Sequence, residues 1–143
     1  MADSAGFQTI ITNLQQLTQA INAVTKTVTG ALAQVWASFA EQEVADAATV
    51  TLDLSTGFNF GILATENTTL ANPVNAKVGQ KGYINWTQNG TGGYTLAFGT
   101  DFVASGGVAS LEPTTTANAV NIFQYVVLPG PLVFLTISAN VTH

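Results

Sequence analysis

The sequence predicts an N-terminal α-helical coiled coil followed by an all-β domain: an antiparallel, jelly-roll-like β-sandwich head, assembled as a homotrimer. Three observations predict it. Apolar residues recur in strict steps of three and four from Phe7 to Val35, the periodicity changes to two after Thr49, and only 8% of the 143 residues are charged. A globular domain usually carries about 25% charged residues, so this chain keeps itself wet with Thr, Asn, Gln and Ser.

The helical seam comes first. Phe7, Leu14, Ile21, Val28 and Val35 take heptad position a, and Ile10, Leu17, Val24 and Ala31 take position d. The pattern runs for more than four heptads without a stutter, where a surface helix of period 3.6 would drift off the seam. Ile11, Leu32 and Phe39 at e widen the apolar face, and no e or g position between Phe7 and Phe39 is charged. A face this wide suits three parallel helices better than two, so these nine a and d residues are the expected trimerisation residues. Thr18, Thr25, Thr27 and Thr29 lower helix propensity, so burial against neighbouring copies has to hold the helix.

Residues 1–40 are therefore expected to form a particle anchor and coiled-coil stem, 41–48 a neck and 49–143 the head. Glu41, Glu43 and Asp46 crowd the neck. Clustered carboxylates suit acid–base or metal chemistry, but no His or Asp-x-Asp pattern accompanies them. The expectation is a solvated connector and no metal site.

In the head, Val50–Leu54, Phe58–Phe60, Thr68–Ala71, Gly82–Thr87, Thr95–Phe98, Ile122–Leu128 and Leu132–Val141 read as strands. Ser55-Thr56-Gly57, Asn72-Pro73, Ser105-Gly106-Gly107 and Pro129-Gly130-Pro131 separate them as turns. Asn89-Gly90, between Trp86 and Tyr94, predicts a hairpin.

Composition excludes several functions. The only cations are Lys26, Lys77 and Lys81, there is no arginine or cysteine, and the net charge is −5. Such a chain cannot neutralise a phosphate backbone, form disulfides or build thiolate metal sites. The single histidine, His143, is terminal, so no His-dependent mechanism and no cofactor are expected. Met1-Ala2-Asp3-Ser4 lacks the basic region of a secretory signal. The apolar run 119–137 contains Asn121 and Gln124 and is broken by Pro129-Gly130-Pro131, which predicts two strands and a turn rather than a membrane span.

A coiled-coil stem joined to a β head makes a trimeric fibre. About 34 helical residues span about 50 Å, and three identical head surfaces gain avidity against a multivalent target. The segment Asn75–Gly99, with its Gly79-Gln80 pair and its Gln88-Asn89-Gly90-Thr91-Gly92-Gly93 run, resembles the head domain of fibre and spike proteins of tailed bacteriophages and related gene-transfer agents. Thr116-Ala117-Asn118-Ala119 and the opening Val50-Thr51-Leu52-Asp53 are similar to the same family, so the resemblance covers roughly residues 49–140. Such domains often carry Asp after the Gln and Arg after the paired glycines. This chain has Asn89 and Tyr94 there, so a role tied to that pair does not carry over. The resemblance implies a virion structural protein that docks on a capsid or tail protein through its N-terminus and binds host-surface polysaccharide. The alternatives are an adaptor that binds another virion component and a capsule-degrading enzyme.

Tyr83, Asn85, Gln88, Asn89, Thr91 and Tyr94 combine aromatic faces with short polar groups, the types that recognise sugars, and form the candidate glycan site. Strand parity sets Tyr83 and Asn85 on one face and assigns Trp86 to the core. Asp101 and Glu112, in the segment 100–116, are a conceivable glycosidase pair, but a solvated loop is the expectation and no catalytic residue is assigned.

Overall fold

Nothing in residues 3–39 interrupts a helix: the first proline is Pro73. In the computed structural model, which describes residues 3–141, α1 spans Asp3–Phe39. His143 and the Met1-Ala2 start, which entered the reading above, lie outside the described residues. The chain divides into two compact units, Met1–Ala37 and Ser38–His143.

The first unit is helix alone. None of its residues is buried, and the large a and d side chains are 51–63% exposed, from Val28 to Val24. Thr9, Thr12, Thr18 and Thr27 turn their hydroxyls back onto the carbonyls four residues earlier. Asp3 in the first turn complements the helix dipole.

The second unit contains β1 (Glu41–Glu43), β2 (Thr49–Val50), β3 (Asn59–Ala64), β4 (Thr68–Leu70), β5 (Lys81–Gln88), β6 (Leu96–Phe98), β7 (Phe102–Ala104), a 3-10 turn (Val108–Ser110), β8 (Val120–Val127) and β9 (Val133–Ser138). They form a six-stranded sheet, β1-β3-β5-β8-β9-β7, and a three-stranded sheet, β2-β4-β6. Both are built largely from parallel pairs, which corrects the antiparallel expectation. The cause is the path of the chain. Through β6, each strand is followed by one in the other sheet, so strands two apart in sequence meet running the same way. Alternating apolar residues report a half-buried strand and are silent about its direction.

The same path removes the predicted Asn89-Gly90 hairpin, because β5 and β6 lie in different sheets. Antiparallel pairing is confined to β5–β8 and β8–β9. The second of these is the pair of strands and turn read from residues 119–137.

Two further expectations are corrected. Glu41–Glu43 is an edge strand paired with β3 rather than a solvated connector. Asp46 accepts hydrogen bonds from the Thr65 and Glu66 backbone N–H groups and from the Thr65 and Thr68 hydroxyls. The segment 100–116 contributes Phe102 and Leu111 to the core instead of forming a solvated loop.

One hydrophobic cluster draws on both sheets: Phe60, Ile62, Ile84, Trp86, Phe123 and Leu135 from the larger, Val50, Leu70 and Leu96 from the smaller. Trp86 is fully buried, as parity predicted. Asn121, also fully buried, ties three segments together. Its Oδ1 accepts from the N–H of Thr114 and Asn140, and its Nδ2 donates to the carbonyls of Thr114 and Trp86.

Candidate functional site

Parity places Tyr83, Asn85 and Thr87 of β5 on the face of the large sheet opposite the core. Register then fixes their neighbours. Asn59 lies beside Tyr83, Gly61 beside Asn85 and Leu63 beside Thr87, while Glu41 and Glu43 on β1 flank Asn59 and Gly61. At Gly61 the lack of a side chain matters, because a Cβ there would collide with the Glu41 carboxyl group. The carboxylate can therefore lie across β3 and reach β5.

The result is a groove of about 400 Å³ lined by Glu41, Glu43, Gly61, Leu63, Asn85 and Thr87. Asn85 Nδ2 donates to Glu41 Oε2 at 3.4 Å, and the Thr87 hydroxyl donates to Asn85 Oδ1 at 3.1 Å. Tyr83, half-buried at the end of this row, has its backbone N–H on Asn59 Oδ1. Burial, and then the neighbouring Glu41 charge, push the Tyr83 phenol above its ordinary pKa, so it remains a hydrogen-bond donor at physiological pH. Two carboxylate acceptors, an amide, a hydroxyl and the exposed Leu63 side chain suit a hydroxyl-rich ligand. No lysine lines the groove, which disfavours an anionic one.

The structure distributes the six predicted glycan residues over two places. Tyr83 and Asn85 share the sheet face. The other four lie at or beyond the C-terminal end of β5, where most of their polar groups serve the fold. Gln88 is buried, and both ends of its amide clamp Tyr94: Nε2 donates to the Tyr94 carbonyl at 2.8 Å and Oε1 accepts from its N–H at 3.2 Å. Asn89 Oδ1 accepts from the N–H groups of Thr91 and Gly92, an Asx turn. Tyr94 packs partly against the core, and Thr91 is exposed.

This clamp explains the motifs singled out in the sequence. Gly93 N–H donates to the Thr115 carbonyl, Asn118 N–H to the Asn89 carbonyl and Gln88 N–H to the Ala119 carbonyl. Gly92 has φ +70°, and a Cβ there would strike the Ala117 backbone. The glycine run and the Thr-Ala-Asn-Ala stretch are thus the two halves of one packed loop pair. At the other end of β5, Gln80 Nε2 donates to the carbonyls of Leu54 and Gly57.

Asp101 lies at the start of β7, its N–H on Asn72 Oδ1, and Glu112 borders a separate groove along β6. Among the described residues no cluster of His, Cys, Asp or Glu could hold a metal ion, and no helix is long and apolar enough to cross a membrane. Sequence reasoning missed the site roles of Glu41, Glu43, Leu63 and Thr87. A usable signal for the first two was their spacing of two, which puts both carboxylates on one face of a strand.

Comparison with protein families matches residues 59–131 to the phage tail fibre C-terminal domain. The matched span runs from β3 to the β8–β9 turn, and so includes Leu63, Tyr83, Asn85 and Thr87 but not the carboxylates of β1. Searches of curated proteins and of solved structures gave no match.

Proposed function

The chain belongs to the phage tail fibre C-terminal domain family, and from that premise we propose a homotrimeric fibre whose β head binds host-surface polysaccharide through the Glu41–Asn85 groove. Its place is the phage particle, and its role there is that of a structural fibre protein. The trimer reading is supported by a 37-residue helix with no buried residue and an apolar seam that its own chain leaves uncovered. Such a stripe is stable in water only when other helices cover it. The single hydrophobic cluster shared by both sheets supports a sandwich-type head with mixed strand directions.

The observation that carries the binding reading is the groove itself: a polar concavity on a sheet face, with carboxylates, an amide and a phenol at fixed spacing. Its acidic lining points to neutral or amino sugars rather than acidic ones. Residues 1–40 would act as anchor and stem, docking on a tail or capsid protein.

The test is a glycan array with the full chain. We expect binding to a neutral or amino-sugar polymer that falls at least about tenfold, or about 1.4 kcal/mol, in Tyr83→Ala and Asn85→Ala. A chain that stays on purified particles yet binds no glycan would assign the head to another virion protein. Release of reducing ends from host polysaccharide would make it a capsule-degrading enzyme.

A further inference from the structure

A second groove, of about 580 Å³, runs along β6. Its walls include Leu96, Phe98, Val108, Leu111 and Pro113, and its one charged residue is Glu112. β6 is the outer strand of the three-stranded sheet. Its Thr95 carbonyl and Gly99 N–H bond to β4, which turns the N–H and C=O groups of Leu96 and Phe98 away from the sheet. The other three edges are blunted in ways that discourage pairing. β1 carries Glu41 and Glu43, β2 has two residues, and the 3-10 turn packs beside β7. β6 is left as an apolar edge beside an apolar groove.

A complementary feature lies elsewhere on the same unit. Val78 is 67% exposed, the most exposed large apolar side chain after Phe39 among the described residues. It projects from a tight turn in which Gln80 N–H donates to the Lys77 carbonyl at 2.9 Å and Gly79 adopts φ +87°. Lys77 and Lys81 flank it, and they are the only cations after Lys26 apart from the terminal histidine. Seven of the eight acids also follow residue 37, so heads brought together repel unless these two lysines face acids.

We propose that the Lys77–Lys81 turn of one copy seats in the β6 groove of a second copy, with Val78 against the apolar wall and a lysine meeting Glu112. The turn and the groove are different surfaces of the same chain, so the contact is head-to-tail and closes into a ring. This inference rests on the trimer reading, which sets that ring at three.

The chain contains no cysteine, which makes crosslinking clean. In the full chain carrying Val78→Cys and Ala109→Cys, mild oxidation should give a ladder ending in a covalent trimer. A disulfide forms only when the Cα atoms approach within about 7 Å. Mixing the two single variants should give covalent dimers. Glu112→Lys should cut the crosslink yield about tenfold, the equivalent of about 1.4 kcal/mol, and adding Lys77→Glu and Lys81→Glu should restore it. A trimer by light scattering that forms no interchain disulfide overturns this contact and leaves the trimer standing. A monomer by light scattering overturns the trimer reading itself. Crosslinks confined within one chain, or a yield indifferent to Glu112→Lys, also overturn the contact.

Discussion

The helix and the β unit place similar apolar side chains in opposite circumstances. In α1, Leu14, Leu17 and Ile21 are each more than half exposed, while in the β unit Phe60, Ile62 and Ile84 are 1–2% exposed. Both patterns are regular, and both put apolar residues on one face. The β unit has a second sheet to close over that face; the helix has nothing in its own chain. A periodic pattern therefore states what must be buried, and only the topology states whether one copy suffices.

Substitutions can separate the two regimes. The largest effect is expected from Leu17→Asp with Ile21→Asp. Light scattering should fall to the monomer mass and helical circular dichroism should collapse, while the thermal transition of the β unit persists. An unchanged mass would end the heptad reading. Next is Trp86→Ala, which removes the largest fully buried side chain and should cost the β unit about 3–5 kcal/mol in denaturant unfolding. The oligomer formed by the helix should survive it.

Asn121→Ala should cost about 1–3 kcal/mol, because the Thr114 N–H and the carbonyls of Thr114 and Trp86 lose their side-chain partner. Asp46→Asn should act through pH. Burial raises the Asp46 pKa, but the Thr68 hydroxyl, the backbone N–H groups of Thr65 and Glu66 and the Thr65 hydroxyl more than offset it, leaving it below the ordinary 3.8. Its contribution is thus fully present above the unfolded value and lost as pH falls through the lower folded one. Melting curves of the wild type should lose stability through that acid window, and those of Asp46→Asn should be flatter there. The smallest stability effect, within about 0.5 kcal/mol, is expected for Tyr83→Ala, which should nonetheless lose polysaccharide binding.

Much of this architecture was legible in advance. The helix from Phe7 onward was visible because its period is local and unbroken. The β3, β4, β5, β8 and β9 regions were visible because their apolar residues alternate. β1 was not, since Glu41-Gln42-Glu43 offers no apolar residue and becomes a strand only by pairing with β3, sixteen residues beyond it. Sheet direction was illegible for a related reason: it depends on which sheet the next strand joins. Asn89-Gly90 looks locally like a hairpin turn, yet the Gln88 amide redirects the chain to the other sheet. In the candidate site, Tyr83 and Asn85 could be paired by parity alone. Adding Glu41 and Glu43 needed the register of three strands and the empty position at Gly61.

Closing the Asn89–Gly93 loop with a side chain instead of a strand ladder has an evolutionary consequence. Gln88 holds both backbone groups of Tyr94, so the base of the loop is fixed whatever its crown contains. Gly90 and Thr91 are exposed and carry little of the closure. Loop tips of this kind tolerate replacement and insertion. The crown is thus a place where sequence can drift or lengthen without being felt at Trp86, giving the lineage room to change what it touches while keeping how it folds.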